Sequence, residues 1–229
     1  MPRKTKVLYP SPLYPSTSHP PIKAVIFDFD GTLADTMMIV AKSVNQHAEK
    51  FGYRKIDLSL IRDKRAIDVI KQDMGLSLWK LPYFMWRGKK IIQKELQQAK
   101  LFPGVMEMIQ ALQEKYMVAI LTSNRKDTVQ HVLDKHKVKI PSIYSSGLFR
   151  KHRSLQNILD KLDLQPDEVI YVGDELRDIE ACRKVGIKII SVSWGYNSPQ
   201  ALREAGADFI AGQPEDVVKI MNHQQKLYK

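Results

Sequence analysis

The sequence predicts an α/β fold: a mainly parallel sheet covered by helices on both faces, with a small all-helical domain inserted after the first strand. Short apolar runs rich in β-branched residues alternate along the chain with helical patterns of about 10–15 residues, which is typical of βαβ units. This alternation is interrupted between residues 36 and 102, where apolar residues recur at helical spacing throughout.

The first strand is expected at Lys23–Asp28, a short apolar run between two prolines and an Asp-Gly pair. Similar runs predict further strands at Met117–Thr122, Ile140–Tyr144, Val169–Gly173, Ile187–Val192 and Asp208–Ala211. Helices are expected between and after them at Gly104–Lys115, Lys126–Lys135, Ser154–Leu162, Arg177–Val185, Pro199–Ala205 and Pro214–Leu227.

Three segments are expected in the domain organisation. Residues 1–21 hold six of the twelve prolines and are predicted to be a flexible tail, because proline lacks the amide donor of regular structure. Residues 22–35 and 103–229 are predicted to form the α/β core domain, and residues 36–102 a helical cap domain. This insert should end in an amphipathic helix near Lys89–Ala99. Four of its aromatic residues are expected to pack in its own core, with a substrate pocket as the alternative: Trp79, Tyr83, Phe84 and Trp86.

Composition excludes several classes of protein. Among the 229 residues there is no run of 18 apolar residues, and mean hydropathy is −0.30, so a transmembrane helix is not expected. The single cysteine, Cys182, allows neither an intramolecular disulfide nor a CxxC zinc site, which favours a reducing, cytoplasmic compartment.

The net charge of +11 is concentrated in the insert, where 14 basic and 6 acidic residues give +8 between residues 36 and 102. Such a segment is either an anion-binding surface or a solvated, lysine-rich helical face. The chain has no zinc-finger spacing and no long basic run, so no specific binding of nucleic acid is expected.

Polar residues follow several of the predicted strands. Asp28 and Asp30 lie where the first strand gives way to a loop, and Gly31 permits the backbone torsions of a turn there. Thr122-Ser123-Asn124 ends the second core strand, with a hydroxyl and free amides that suit phosphate oxygens. Asp174 follows the strand Val169–Gly173, with Asp178 one helical turn further on. Lys151 precedes the predicted helix Ser154–Leu162, between the third and fourth strands. Aspartates that only cap a local turn are the alternative interpretation of the first motif.

The order of these motifs, DFDGTLADT, LTSN, a lysine and VGDELRDIEA, resembles the haloacid dehalogenase superfamily of phosphohydrolases, most closely its phosphoglycolate phosphatase-like branch (subfamily IA). The likeness extends from about Lys23 to Met221 and includes the phrase WGYNSPQALREAGADFIAGQPEDVVKIM. DFDGT and GDxxxD are highly specific as a pair. The resemblance implies a Rossmann-like core with a helical cap of the C1 type, inserted after the first motif.

The resemblance also implies roles for individual residues. Asp28 matches the nucleophile that becomes an aspartyl-phosphate, and Asp30 the acid/base that protonates the leaving oxygen and then activates water. Thr122, with Ser123 and Asn124, matches the group that binds phosphoryl oxygens, and Lys151 the lysine that neutralises their charge.

Magnesium is the implied cofactor. The matching ligands are Asp28, the backbone carbonyl of Asp30, and Asp174, with Asp178 either contacting these ligands or reaching the metal through water. Few protein oxygens suit Mg²⁺, which retains several of its own waters. Glu175 replaces a small residue found in many relatives, and either joins the metal shell or caps the next helix.

Two assignments remain open in the sequence. Arg150, Lys151 and Arg153 compete for the lysine role, because the Lys-Pro pair common in the family is missing here; Lys151 has the best spacing. Arg62, Lys64 and Arg65 lie where cap loops of relatives reach toward the active site, and Arg65 is the candidate for binding a second anionic group of the substrate.

The predicted function is a Mg²⁺-dependent phosphatase acting on a small phosphorylated metabolite, with no membrane partner. One alternative is a phosphotransferase of the beta-phosphoglucomutase kind, which passes the phosphoryl group to a sugar hydroxyl. Another is a catalytically inactive binding module on the same fold. A dehalogenase is disfavoured because that chemistry does not need Asp30. The substrate and the oligomeric state, monomer or homodimer, are not predicted.

Overall fold

A computed structural model describes residues 21–57, 62–77, 79, 82–83, 92–147 and 150–226. Its main sheet has six strands in the order β5-β4-β1-β6-β7-β8, and every neighbouring pair is parallel. These strands are β1 Ala24–Phe27, β4 Met117–Thr122, β5 Ser142–Ser145, β6 Val169–Gly173, β7 Lys188–Val192 and β8 Phe209–Ala211. The predicted α/β class with a mainly parallel sheet is confirmed.

Helices cover the sheet on both faces because successive strand residues point to opposite sides. Val25 and Phe27 belong to one apolar core, whereas Ala24 and Ile26 belong to the other. The first core is completed by α4 Val105–Gln113, α5 Lys126–Lys135 and α9 Pro214–Lys226. The second is completed by α6 Lys151–Leu162, α7 Leu176–Val185 and α8 Pro199–Glu204.

The largest difference from the predicted core elements is the start of α6. The apolar periodicity begins at Leu155, and so the sequence pattern predicts a helix only from Ser154. In the structure the helix begins at Lys151. Its first turn consists of the polar residues Lys151, His152 and Arg153, so the apolar pattern does not show it. The extra turn carries Lys151, one of the predicted site residues.

A short antiparallel ribbon, absent from the prediction, joins the two ends of the insert. Strand β2 Ala34–Asp35 pairs with β3 Lys100–Leu101, and Phe102 N donates to Leu33 O at 3.0 Å. Two-residue strands carry no readable periodicity, which explains why the sequence pattern missed them. The ribbon brings the chain back to the sheet near the place where it left.

Within the insert, the helices include α1 Met37–Gln46, α2 Ala48–Phe51 and α3 Ala66–Asp68, which continues as a π-helical turn at Val69–Asp73. Residues 92–96, within the predicted Lys89–Ala99 helix, are helical as well. They enclose a small separate core of five buried residues, namely Ala48, Tyr53, Ile70, Met74 and Leu76. The division into cap and core domains at residues 36 and 102 stays a prediction.

Some predictions for the insert and tail can be compared with the structure only in part. Trp79 is 78% exposed and Tyr83 57% exposed, so the expectation that they are core residues is wrong for these two. Phe84, Trp86, residues 1–20 and the first part of the predicted Lys89–Ala99 helix lie outside the described residues. In the described part of the chain, no helix has the length and apolar character needed to cross a membrane.

Candidate active site

The carboxyl ends of three adjacent strands bring the predicted site residues together. Strand β1 lies between β4 and β6, and Phe27 is in register with Ile120 and Val172. Asp28 therefore leaves the sheet at the same edge as Thr122, the last residue of β4, and Asp174, which follows β6. Open parallel sheets bind ligands at this edge.

Lys151 occupies the centre of the cluster. Its ammonium donates to Asp28 Oδ2 at 2.6 Å and to Asp178 Oδ1 at 2.5 Å, and all three side chains are buried. Arg150 and Arg153, its competitors in the sequence, are both exposed. The structure thus places Lys151, and neither neighbouring arginine, next to the predicted nucleophile.

Asp174 is held by groups from three other segments. Its Oδ1 accepts a hydrogen bond from Thr32 Oγ1 at 2.7 Å, and its Oδ2 accepts one from Tyr196 N at 2.8 Å. Asp178 Oδ2 in turn accepts from the backbone N–H groups of Asp174, at 3.2 Å, and Glu175, at 3.1 Å. Asp178 thereby links Lys151 to the start of α7 and fixes the loop that carries Asp174.

Gly31 makes the close approach of the first loop to Asp174 possible. Its φ of +72° lies in the left-handed region that favours glycine. A Cβ atom at this position would lie 2.1 Å from Asp174 Oδ2 and 2.5 Å from a ring carbon of Tyr196. Both the backbone torsion predicted from the sequence and the lack of a side chain are therefore required.

Asp30 has the electrostatic character expected of an acid/base. Burial, and then the nearby charge of Asp28, raise the pKa of Asp30 to about 6. Asn124 Nδ2 donates to Asp30 Oδ2 at 2.7 Å. Asn124, which the sequence predicts to bind phosphate with Thr122 and Ser123, thus also orients the Asp30 carboxyl.

The Thr122 loop is preorganised by its own polar groups. Thr122 Oγ1 accepts the N–H of Asn124 at 3.0 Å, so its hydroxyl hydrogen is directed elsewhere. Ser145 Oγ, at the end of β5, donates to Asn124 O at 3.0 Å. The loop therefore keeps Thr122, Ser123 and Asn124 at the end of β4, beside β1.

The cluster carries more negative than positive charge, which makes it suitable for a cation. Burial raises the pKa of Asp28, an effect that the Lys151 ammonium opposes, and burial with the charge of Glu175 raises the pKa of Asp174 well above its ordinary value. One carboxylate oxygen from each of Asp28, Asp174 and Asp178 lies within 4.8 Å of the others. Three carboxylates against one ammonium leave an excess of two negative charges when all are ionised, and these hard oxygen donors fit a divalent ion such as Mg²⁺.

Burial alone would lower the pKa of the Lys151 ammonium, but the carboxylates of Asp178 and Asp28 raise it above its ordinary value. Lys151 is therefore a permanent cation in this site and cannot act as a base near neutral pH. It can therefore act on a bound anion only through its charge.

Residues at the margin of the cluster are held by other partners. Glu175 accepts from Arg177 Nη2 at 2.5 Å and is not part of the three-carboxylate group. Arg65 pairs with Glu180 at 2.8 Å and Lys64 with Asp73 at 2.7 Å. Of the three basic residues predicted to approach the site from the insert, it is Arg62 that reaches the loop beside Asp174.

Four residues near the site have contacts that sequence analysis did not assign: Thr32, Arg62, Tyr196 and Asn197. Thr32 belongs to the DFDGT motif, and Tyr196 and Asn197 belong to the WGYN phrase. The two motifs could have indicated that these residues lie near the site, but a motif does not show which atom each residue contacts.

The fold and the site together define an α/β protein in which buried carboxylates and a lysine gather at the carboxyl edge of a parallel sheet. The model of the family described as "Haloacid dehalogenase-like hydrolase" matches residues 25–192. The chain belongs to the haloacid dehalogenase-like hydrolase family.

Individual relatives agree with this assignment. The chain is 33% identical over 205 residues to the phosphoglycolate phosphatase of Synechococcus elongatus, covering 86% of this chain and 96% of that protein. Among solved structures, it is similar to a predicted phosphatase from Clostridium acetobutylicum, with a TM-score of 0.75, 20% identity and coverage of 89% and 100%. A haloacid dehalogenase-like protein from Streptococcus pneumoniae gives a TM-score of 0.72, 23% identity and coverage of 87% and 98%. The predicted family, its phosphoglycolate phosphatase-like branch and the predicted enzyme class, a phosphatase-type hydrolase, are confirmed.

Proposed function

We propose that the protein is a Mg²⁺-dependent phosphatase that hydrolyses a small phosphate monoester through an aspartyl-phosphate on Asp28. The observation that carries the proposal is the position of Lys151, whose ammonium lies 2.6 Å from Asp28 Oδ2 within a buried group of three carboxylates. A carboxylate that must attack a dianion needs positive charge beside it, and this arrangement supplies it.

The metal would be held by Asp28, Asp174 and the backbone carbonyl of Asp30, with Asp178 acting through water. When bound, Mg²⁺ would supply charge that offsets the repulsion between the attacking carboxylate and the phosphate. Thr32 and Tyr196 keep Asp174 oriented for this purpose. Asp178 keeps Lys151 in place.

In the first step, a carboxylate oxygen of Asp28 forms a bond to phosphorus, and the bond to the ester oxygen breaks. Asp30 donates its proton to the departing oxygen. In the second step, Asp30, now ionised, accepts a proton from water as the water oxygen attacks phosphorus and the Asp28 carboxylate is released. A pKa of about 6 supports both roles, because neither protonation state is strongly disfavoured near neutral pH.

Substrate oxygens would be bound by the Thr122 hydroxyl, the Lys151 ammonium and the loop groups of Ser123 and Asn124. The curated relative from Synechococcus elongatus supports a small, anionic phosphoester such as phosphoglycolate. Arg62 and Arg65 remain the candidates for its second anionic group, although the pairing of Arg65 with Glu180 favours Arg62. The free, buried Cys182 supports a reducing, cytoplasmic location.

The proposal is tested by phosphate release from about 100 phosphoesters with and without Mg²⁺, using the native chain and Asp28→Asn. We expect Mg²⁺-dependent turnover of small anionic esters and a loss of at least about 1,000-fold in the variant. Transfer of phosphate to a sugar hydroxyl without steady phosphate release would instead indicate a phosphotransferase. A native chain that folds but turns over none of the esters would overturn the proposal in favour of a binding module.

A further inference from the structure

The loop 193–198, which follows β7, contacts the site and the insert at the same time. On the side of the site, Tyr196 N donates to Asp174 Oδ2 at 2.8 Å, and Asn197 N donates to Asp174 O at 3.3 Å. Gly195 lies so close that a Cβ atom there would be 2.3 Å from Asp174 Cβ. Movement of this loop would therefore move Asp174.

On its other side, the same loop binds residues 62–64 of the insert. Arg62 Nη2 donates to Gly195 O at 3.1 Å, and Ser198 N donates to Arg62 O at 3.0 Å. The Ser198 hydroxyl also hydrogen-bonds to the carboxylate of Asp63. These contacts join two segments that are more than 130 residues apart in the chain.

Asn197 connects the two sets of contacts through its side chain. Its Oδ1 accepts the N–H of Leu176, in the first turn of α7, at 3.0 Å. Its Nδ2 donates both hydrogens to the insert, to Arg62 O at 2.7 Å and to Lys64 O at 3.1 Å. The side chain is buried, and its hydrogen-bonding groups are engaged on both sides.

We propose that Asn197 is a positioning residue that couples the docking of the insert to metal binding at Asp174. A buried amide that binds both partners keeps its hydrogen bonds only when insert segment 62–64 and the 193–198 loop are in this arrangement. The same loop fixes Asp174, so the arrangement that docks the insert is also the one that orients the metal ligand. Binding free energies are reciprocal, and hence Mg²⁺ must favour the docked insert as much as docking favours Mg²⁺.

This coupling rests on the proposed function, since it requires that Asp174 binds Mg²⁺. The coupling also gives the insert a role that does not depend on contact with substrate. An insert that is docked through Asn197 completes the metal site, and one that has moved away loosens it.

The test uses the full chain with Asn197→Asp. Aspartate keeps an oxygen for the N–H of Leu176, but loses both donors and directs a carboxylate at the carbonyls of Arg62 and Lys64. Asn222→Asp is the matched control, because the Asn222 oxygen accepts from Lys115 at 3.0 Å and a carboxylate can keep that bond. Mg²⁺ affinity is measured by calorimetry. Hydrogen exchange is measured by mass spectrometry on metal-free protein and, for the wild-type chain, on Mg²⁺-loaded protein as well.

For Asn197→Asp we expect Mg²⁺ affinity to fall by about 10-fold or more, as for other residues that orient a metal ligand. Exchange should accelerate in peptides that cover residues 62–77 and 193–198, while the control matches the wild-type chain in both measurements. In the wild-type chain, Mg²⁺ should slow exchange at residues 62–77.

Asp63→Ala separates coupling through the insert from a local effect on the loop. Asp63 contacts Ser198 from the insert, and no described contact joins it to Asp174. A drop of a few-fold in Mg²⁺ affinity supports the coupling. Wild-type affinity in Asn197→Asp, or wild-type exchange at residues 62–77 in that variant, overturns it. Failure of the proposed function looks different: the wild-type chain itself would bind no Mg²⁺.

Discussion

The Lys151 ammonium lies 2.6 Å from Asp28 Oδ2, although 123 positions separate the two residues in the chain. The same ammonium lies 2.5 Å from Asp178 Oδ1. Burial of a charged group costs several kcal/mol unless partners offset it, and here one cation is shared by two buried carboxylates. The lysine is thus a structural requirement of the cluster as well as the proposed binding group for the phosphate.

Removal of this cation should therefore destabilise the fold. We expect Lys151→Met to lower the free energy of unfolding by about 3–5 kcal/mol in metal-free protein, because Asp28 and Asp178 then face each other unpaired. Without the lysine, the pKa of Asp28 rises further, so the native state of the variant holds a proton to higher pH. Its stability deficit should consequently grow as the pH increases from 5 to 8, in urea unfolding experiments.

The control for this prediction is Lys184→Met, which changes the same residue type at an exposed position of α7. Its effect should stay within about 0.5 kcal/mol at both pH values. If the two variants unfold at the same urea concentration, the ion pairs around Lys151 do not contribute to stability as argued.

A second prediction concerns the space beside Asp174. In Gly195→Ala the new Cβ would lie 2.3 Å from Asp174 Cβ and Oδ2, so one of the two segments must move. We expect a loss of about 1–3 kcal/mol in stability and a drop of about 10- to 100-fold in Mg²⁺ affinity. Urea unfolding and calorimetry measure the two effects.

Gly147→Ala provides the comparison, since no described atom lies within 4 Å of the position that its Cβ would occupy. This variant should match the wild-type chain in both measurements. Unchanged Mg²⁺ affinity in Gly195→Ala would mean that Asp174 can shift without consequence for the metal.

A third prediction tests the hydroxyl that holds the other oxygen of Asp174. Thr32→Val keeps the shape of the side chain but removes the hydrogen bond of 2.7 Å to Asp174 Oδ1. We expect Mg²⁺ affinity to fall by about 10-fold and stability by about 1 kcal/mol. Thr128→Val, a buried threonine on α5, should leave Mg²⁺ affinity unchanged. Equal affinities for the two variants would contradict the orienting role of Thr32.

The sequence predicted the strands of the core well, because their apolar runs are bounded by polar residues at the strand ends. Met117–Thr122 and Val169–Gly173 have the predicted bounds. The placement of Asp28, Thr122 and Asp174 at one edge followed from this alternation, since parallel strands end at the same side of a sheet.

Other features depended on contacts between distant segments, which periodicity does not encode. The first turn of α6 is polar, so its start was predicted too late, although it carries Lys151. The pairing of Arg65 with Glu180 and the contacts of Asn197 could not be predicted, because each joins the insert to the core. Trp79 and Tyr83 are exposed although their apolar character suggested core positions.

The last prediction concerns the cost of keeping Asp30 buried. Its pKa of about 6 lies above the ordinary value of 3.8, so the native state binds more protons than the unfolded state between these two pH values. The free energy of unfolding therefore decreases as the pH rises through this interval, by at most about 3 kcal/mol. The amide in Asp30→Asn cannot ionise, so the free energy of unfolding of this variant should not show this decrease. We expect the metal-free variant to be more stable than the wild-type chain at pH 7.5, with little advantage at pH 4, and to lack phosphatase activity.

Urea unfolding at both pH values, with chelator present, measures the difference. Asp134→Asn is a suitable control, because Asp134 is exposed and its Oδ1 accepts from Gln130 at 2.8 Å, a bond that an amide oxygen can keep. The control should show no gain that depends on pH. If Asp30→Asn is no more stable than the wild-type chain at pH 7.5, then burial does not disfavour the Asp30 carboxylate. The pKa of Asp30 would then not be raised, and the argument that it donates a proton near neutral pH would fail. If the gain appears together with the loss of activity, the carboxyl is destabilising in the fold and is retained for the reaction.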